Sequence, residues 1–315
     1  MKARELVLHH GRQLGTLLGL LALCTVLSIL SPYFLTANNL RTVLEQSAIN
    51  GIIAVGMTFV IISAGIDLSV GSILAFAGIV LALLMQAGLG APVAVPLAVI
   101  AGGLCGLVNG LLVTLGRLPP FIATLGMMSV ARGGALLMTD GRPISGFESG
   151  FRVLATGQFL GIPAPAWIML IVYGVAHLML TRTRFGLYTY AMGGNEQASH
   201  LSGVRVRLHK SMVYLLSGCT SAVAAVVLTA RLNSAQPIAG IAYELDAIAA
   251  TVIGGTSLMG GQGTLVGTLI GALLMGVLRN GLNLLSVSSF LQQIIIGAVI
   301  IAAVLFDTAF KRRPS

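Results

Sequence analysis

The sequence contains few charged residues: only 9% of its 315 residues are Asp, Glu, Lys or Arg, whereas 56% are hydrophobic. A soluble domain carries roughly 25% charged residues. A chain of this length with so few charges cannot cover its surface with groups that water solvates. This excludes an ordinary soluble domain. We predict an all-α protein in which one domain, residues 1–315, crosses a lipid membrane several times.

Cysteine is scarce as well. Cys24, Cys105 and Cys219 are odd in number, and each lies inside an apolar run. This excludes a disulfide framework and a Cys-x-x-Cys metal site, and we predict that the three are buried as small hydrophobic residues. The five histidines show no metal-ligand spacing. We therefore expect this chain to bind neither a metal nor another cofactor.

Sequence patterns of common enzymes are missing too. No GxxxxGK[ST] phosphate-binding loop occurs, and the glycine-rich stretch 254–263 lacks its lysine. Any ATP that drives this protein must therefore be hydrolysed by another chain. We find no Ser-His-Asp arrangement and no carboxylate pair in a water-accessible segment. We do not expect an enzyme.

The formal net charge of +9 could indicate a nucleic-acid partner, but the basic residues are dispersed and do not alternate with aromatic residues. Their distribution fits membrane topology, because short cytoplasmic loops are rich in Lys and Arg. Five of them lie between residues 182 and 210, and others lie at both ends of the chain. We predict no nucleic acid, and we place both termini and the 182–210 loop in the cytoplasm.

Long apolar stretches fill most of the chain. A spanning helix needs about 20 mostly apolar residues, and ten stretches are candidates. They are roughly residues 14–32, 46–66, 69–88, 91–115, 119–138, 164–181, 211–231, 244–259, 262–285 and 289–307. The stretch 119–138 opens with two prolines and holds Arg132, and 244–259 is short and glycine-rich. Either could be a partial crossing.

Two pairs of segments recur in the same order at nearly the same offset. They are residues 64–75 with 239–250, and residues 107–111 with 278–282. Five predicted crossings separate equivalent points, so the halves, about 46–138 and 211–307, would have opposite orientations. Inverted repeats with a substrate path between them are common in transporters. The alternative is chance similarity between segments rich in Gly, Ala and Leu.

The cytoplasmic stretch 182–210 contains a short predicted helix. Asn195 is a favourable N-cap, Glu196 places negative charge at the helix N-terminus, and Gly203 can end the helix in the left-handed conformation. Ala198 and Leu201 share one face. A helix of about two turns is marginal alone, so it either lies on the membrane surface or docks a cytosolic partner.

Four stretches resemble the membrane-spanning subunits of ribose-type sugar ABC importers of bacteria. They are AGIDLSVG at 64–71, SAQP at 234–237 with YELDAIA at 243–249, GGTSLMGGQG at 254–263, and GGNEQASHLSG at 193–203. The resemblance extends from about Leu35 to Asp307. It implies a permease of the large, roughly ten-helix class in the bacterial inner membrane, surrounded by lipid.

This resemblance also implies partners. The chain would be one of two permease subunits that form the path for a monosaccharide such as ribose. Two ABC ATPase subunits would sit beneath it, and an extracytoplasmic sugar-binding protein would deliver the substrate. Because two-fold dimers are the commonest oligomers, we favour a homodimer. The implied ATPase-coupling residues are Gly193, Gly194, Asn195, Glu196, Ala198, Leu201 and Gly203.

Polar residues inside apolar stretches are costly and usually face a partner or a cavity. The candidates for a pore or gate are Asp67, Asn109, Glu244, Asp246, Asn280 and Asn283. Asp67 could instead cap a helix. The three asparagines could instead form hydrogen bonds between helices. The acidic pair near residue 245 could gate the outer side, contact the binding protein or be solvated.

Two other function classes stay open at this point. A stand-alone secondary transporter would also show inverted repeats, but it would need no docking helix and would carry more buried carboxylates. An intramembrane enzyme would need a catalytic arrangement that the sequence does not offer.

Overall fold

The computed structural model describes the backbone of residues 2–311 and the side chains of residues 14–305. Helices occupy most of this part of the chain. They are α1 (Lys2–Leu30), α2 (Ala37–Ile62), α3 (Val70–Gln86), α4 (Ala91–Thr114), α5 (Pro120–Thr139), α6 (Ser149–Thr156), α7 (Ala164–Arg182), α8 (Arg184–Gly194), α9 (Glu196–Leu201), α10 (Val206–Leu232), α11 (Tyr243–Ile253), α12 (Leu265–Leu284) and α13 (Ser289–Lys311).

Short strands lie in the connections. They are β1 (Ile144–Ser145), β2 (Gln158–Phe159), β3 (Ile162–Pro163) and β4 (Ser234–Ala235). β1 pairs with β4 in antiparallel fashion, with Ile144 opposite Ala235, and β2 pairs with β3 as a hairpin. The first pair links the segment after α5 to the segment after α10.

Each of the ten predicted spans coincides with a helix, and the fold is that of an all-α, multi-pass membrane protein. Six helices in the described part are long and apolar enough to cross a bilayer: α2, α4, α5, α7, α10 and α12. Helix α3 (Val70–Gln86) is apolar but shorter, and so are the parts of α1 (Leu14–Leu30) and α13 (Ser289–Leu305) whose side chains the structure describes. The total of ten crossings stays a prediction.

Helix α11 is shorter than the stretch 244–259 that the sequence suggested. Its 11 residues reach only about 16 Å at ~1.5 Å per residue, whereas the hydrocarbon core is roughly 30 Å thick. It ends at Ile253 because two glycines follow, and Gly255 has a left-handed backbone with φ 92°. The helix α11 alone is therefore too short to cross the core. Helix α5, the other doubtful span, is long enough.

Helices α2 and α10 form the centre of the bundle. α10 packs along α4 and contacts α2 and α3, while α2 also packs on α12 and α7. A Cβ on Gly110 of α4 would lie 2.5 Å from the Ser211 Cα of α10, and one on Gly106 would overlap the Tyr214 carbonyl oxygen. Small residues at such positions let membrane helices approach closely.

The outer helices present apolar side chains to the surroundings. Ile29 of α1 and Leu137 of α5 are largely exposed. Apolar surface of this kind has to be covered by lipid or by another membrane subunit. Between this surface and the core lie Cys24, Cys105 and Cys219. They are free thiols, and each is only partly buried, which is less than the sequence predicted.

Two non-helical segments meet inside the bundle. Residues 63–69 join α2 to α3, and residues 233–242 join α10 to α11. A Cβ on Gly240, whose φ is 71°, would lie 2.5 Å from the Gly71 carbonyl oxygen. The start of α3 therefore lies directly against the start of α11, and only glycine permits this approach.

Candidate coupling surface and buried polar clusters

Helix α9 forms as the cap residues predict. The Asn195 Oδ1 atom accepts a hydrogen bond from the Ala198 amide at 2.8 Å. The helix runs from Glu196 to Leu201, and Gly203 follows in the left-handed conformation with φ 85°. The local sequence therefore determines both ends of this helix.

Several contacts hold α9 against its neighbours. The Lys210 ammonium group at the start of α10 lies 2.7 Å from the Glu196 carboxylate. Beneath the helix, Met192, Val204 and Val206 form a small buried apolar cluster. α9 is thus fixed to α8 on one side and to α10 on the other.

The opposite face of α9 is free in this subunit. Ala198 is exposed, and Leu201 is 88% exposed. Beside it lies a concave surface that α9 and the first turn of α10 form. The cavity that it encloses has a volume of about 920 Å³. Its lining residues are Glu196, Gln197, His200, Gly203, Val204, Arg205, Val206, Arg207 and Leu208. An exposed apolar side chain beside a concavity is typical of a surface that binds a partner.

The glycine pair before α9 connects this surface to the bundle. A Cβ on Gly193 would overlap the Ile62 carbonyl oxygen and lie 2.5 Å from the Gly261 nitrogen. The Gly261 amide also donates to the Ile62 carbonyl at 2.8 Å. The ends of α2 and α8 and the loop 254–263 therefore meet at one point. Sequence reasoning did not find this contact, although two Gly-Gly pairs, 193–194 and 260–261, were visible.

A second contact joins α8 to the same loop. The Tyr190 hydroxyl donates to the Gly263 carbonyl at 2.7 Å. Burial raises the pKa of Tyr190 to about 12, so the hydroxyl keeps the proton that it donates at neutral pH. Because loop 254–263 connects α11 to α12, this bond joins α8 to the connection between those two helices.

Asp67 is completely buried after the end of α2. Its carboxylate accepts from the Ser69 amide (3.0 Å) and hydroxyl (2.6 Å), and from the Ser217 hydroxyl of α10 (2.8 Å). The Asn109 amide of α4 donates to the same Ser69 hydroxyl at 2.8 Å. Asp67 thus orders the start of α3 and also joins it to α10. Sequence reasoning missed Ser217, which lies 150 residues away.

Asp246 lies in the interior rather than at an outer surface. Its side chain is 1% exposed, and its Oδ2 atom accepts from Arg279 Nη2 of α12 (2.6 Å) and from Asn50 Nδ2 of α2 (3.1 Å). It is therefore neither solvated nor available to a binding protein. Glu244 is partly buried, and its Oε2 atom would lie 2.7 Å from a Cβ on Gly71.

The asparagines form hydrogen bonds between helices. Asn280 of α12 and Asn39 of α2 exchange two amide hydrogen bonds, at 3.0 and 2.8 Å. Asn283 Oδ1 accepts from Gln292 of α13 at 2.9 Å. These bonds favour the structural alternative over a pore lining for both residues.

Arg132, which made α5 a doubtful span, also bonds to the backbone of a neighbouring segment. Its Nη1 atom donates to the Pro237 carbonyl at 2.7 Å and to the Ala239 carbonyl at 2.6 Å. The guanidinium group thus holds the segment 233–242 against α5 just before α11 begins. The sequence offered no local sign of this pairing.

Known proteins are similar to this chain over nearly its whole length. Residues 39–304 match the model of the family described as branched-chain amino acid transport system / permease component. The ribose import permease protein of Bacillus subtilis is 52% identical over 94% of this chain and 92% of its own length. That of Escherichia coli K12 is 51% identical over 93% and 92%.

A further relative is named for another sugar. The D-allose transport system permease protein of Escherichia coli K12 is 42% identical over 95% of this chain and 92% of its own length. No solved structure matches. The resemblance inferred from the four motifs is confirmed, and the chain belongs to the branched-chain amino acid transport system permease family.

Proposed function

We propose that the protein is the membrane-spanning subunit of an ATP-driven importer that carries a monosaccharide of the ribose type across the bacterial inner membrane. Identity of about 50% over more than nine-tenths of the chain to permeases named for ribose supports this substrate. The observation that carries the ATP-driven mechanism is α9, a capped helix that exposes Leu201 beside a concave surface.

The partner at that surface is an ABC ATPase. This chain has no phosphate-binding loop of its own, so the ATP is bound and hydrolysed by the partner and no cofactor is held here. The coupling residues are those that shape the helix: Gly193, Gly194, Asn195, Glu196, Ala198, Leu201 and Gly203. An extracytoplasmic sugar-binding protein delivers the substrate to the opposite side, and a second copy of the permease completes the path.

We further propose ten crossings arranged as two inverted repeats, with both termini in the cytoplasm. The short helix α11 and the non-helical residues that flank it together make the eighth crossing. Under the repeat, α2 corresponds to α10 and α4 to α12. The packing supports this, because α10 lies along α4 and α2 lies along α12. The starts of α3 and α11 are also equivalent, and they meet at Gly71 and Gly240. Membrane transporters commonly place their substrate path where such repeats meet.

The geometry supports a specific route for the power stroke. ATP binding brings the ATPases together and displaces α9. The contact of Gly193 with Ile62 passes this motion to α2, and the Tyr190 bond to Gly263 passes it to α11 and α12. Because α11 and segment 233–242 approach the start of α3, the same motion rearranges the interior of the bundle.

Reconstitution tests this function. The chain is co-purified with its ATPase, inserted into proteoliposomes and supplied with the binding protein and ¹⁴C-labelled ribose. We expect uptake that requires both ATP and the binding protein. Proteoliposomes that hold this chain alone, with a proton or sodium gradient, serve as the control. Gradient-driven uptake without the ATPase would identify a secondary transporter and refute the proposal.

A further inference from the structure

The environment of Asp246 contains polar groups that the folded chain leaves without partners. Three buried atoms have no hydrogen-bond partner: Asp246 Oδ1, Asn50 Oδ1 and Arg279 Nε. All three residues are already joined, because Asp246 Oδ2 accepts from both Asn50 Nδ2 and Arg279 Nη2. The three unpartnered atoms therefore belong to one cluster formed by α2, α11 and α12.

Such an arrangement is unusual for a purely structural ion pair. An arginine and a carboxylate commonly form two parallel hydrogen bonds that use both carboxylate oxygens. Here both donors converge on one oxygen, and the second oxygen is unused. Unpaired buried polar groups are costly where no water solvates them. Elsewhere in the described bundle, the paired amides of Asn39 and Asn280 have no such excess, whereas Asn109 Oδ1 and Tyr214 Oη also lack partners, each as a single atom.

The cluster lies where α2, α11 and α12 meet. Asn50 is near the middle of α2, which has 26 residues and is long and apolar enough to cross a bilayer. Asp246 is in the first turns of α11, shortly after the contact of Gly240 with Gly71. The Arg279 side chain is 34% exposed in this subunit, so the cluster borders the subunit surface and is not sealed inside it.

The chemistry of the free atoms identifies the class of ligand. Two are acceptors, a carboxylate and an amide oxygen, and one is a guanidinium donor. The charges of Asp246 and Arg279 cancel, so neither a cation nor an anion is favoured. A hydroxyl group can donate to one acceptor and accept from the donor. Hydroxyl groups of one neutral molecule therefore offer both the donors and the acceptors that these atoms lack.

We infer that Asn50, Asp246 and Arg279 form a subsite that holds hydroxyl groups of a neutral polyol on its way through the membrane. The inference rests on the proposed function and adds a place in the protein where the sugar is recognised. This role differs from the gating or docking that the sequence suggested for Asp246, and it includes Asn50, for which the sequence suggested none.

The test compares sugar moved with ATP consumed. Wild-type and Asn50→Leu proteins are reconstituted with ATPase and binding protein, and ¹⁴C-ribose uptake and binding-protein-stimulated ATP hydrolysis are measured together. Asn50→Leu removes the free Oδ1 acceptor together with the Nδ2 donor to Asp246, and it introduces a larger apolar side chain. We expect about tenfold less ribose per ATP, the effect of losing one hydrogen bond, with stimulated hydrolysis retained. Glu45→Gln is the matched control, because Glu45 is also on α2 but pairs with Arg231, and it should leave the ratio unchanged.

Three other results would overturn the subsite. An unchanged ratio in Asn50→Leu would show that the sugar does not use this atom. A proportional fall in uptake and hydrolysis would show that the cluster only holds the helices together. A fall in the ratio for Glu45→Gln would show that the effect is not specific to the cluster. If Asn50→Leu fails to insert into the membrane, the ratio of ribose transported to ATP hydrolysed is measured for Arg279→Lys instead. This variant keeps the positive charge and removes Nε, and an unchanged ratio would overturn the subsite. Wild-type proteoliposomes without ATP-dependent uptake would instead refute the proposed function itself.

Discussion

Two adjacent glycines, Gly193 and Gly194, show how much one methyl group can matter at the residue scale. At Gly193 an added Cβ would overlap the Ile62 carbonyl oxygen, whereas at Gly194 it would meet nothing within 4 Å. The two residues end the same helix and differ only in what lies beside them. Substitutions at these two positions therefore distinguish the effect of close packing from the effect of replacing a glycine.

Gly193→Ala should destabilise the protein, and Gly194→Ala should not. Overpacking of a tight site typically costs about 1–3 kcal/mol, here by pushing α8 away from α2 and loop 254–263. The measurement is the thermal unfolding midpoint of the purified protein in detergent, together with ATP-driven uptake. Equal unfolding midpoints for the two variants would show that the backbone near Ile62 can move to accommodate the added methyl group without loss of stability.

The same distinction explains what the sequence could show about single residues. Asn195 and Gly203 act on atoms within a few positions of themselves, so their roles in capping α9 were predictable. The bonds that Ser217 donates to Asp67 and Asn50 donates to Asp246 join residues 150 and 196 positions apart. No periodicity or spacing reports such contacts, which is why Ser217 and Asn50 were missed.

At the scale of elements, apolar length predicted where helices form but not where each one stops. Helix α11 ends at Ile253 because Gly254 and Gly255 follow it, whereas hydropathy alone would continue to residue 259. Helices α6 and α8 were not predicted, because α6 lies between apolar stretches and α8 lies within a polar loop. Helix α9 was predicted because its cap residues are strong local signals.

We expect the Leu201 side chain to be needed for coupling α9 to the ATPase and not for folding of the protein. Leu201→Asp leaves the Asn195 cap and the Glu196–Lys210 pair in place, so membrane insertion should be normal. Burial of a leucine at an interface contributes about 1.5–3 kcal/mol, so its loss should lower ATP-driven uptake roughly tenfold or more. Leu201→Met is the control, since it keeps the volume and the apolar character.

The readout for Leu201→Asp is co-purification of the ATPase and ribose uptake in the same preparation. We expect both to fall for Leu201→Asp and to stay near wild type for Leu201→Met. Normal uptake by Leu201→Asp would mean that this face of α9 does not touch the ATPase.

On the scale of the whole molecule, the two ends of the bundle differ in chemistry. One end carries α9 with the exposed basic residues Arg205 and Arg207, and the other carries the strand pairs and the surface helix α6. Helix α7, long and apolar enough to cross a bilayer, separates the β2–β3 hairpin from α8 and α9. The basic end should therefore face the cytoplasm, as the proposed binding of an ATPase to α9 requires.

Single cysteines on either side of α7 test this orientation. Gln158 and His200 are both exposed, and in a background without Cys24, Cys105 and Cys219 each is replaced by cysteine. A membrane-impermeant maleimide added to intact spheroplasts should label Gln158→Cys and spare His200→Cys, and permeabilised cells should show both labelled. Because one crossing lies between the two sites, labelling of His200→Cys from outside would place α9 on the wrong side for any ATPase. The coupling role of Leu201 and the route through Gly193 and Tyr190 would then both be untenable.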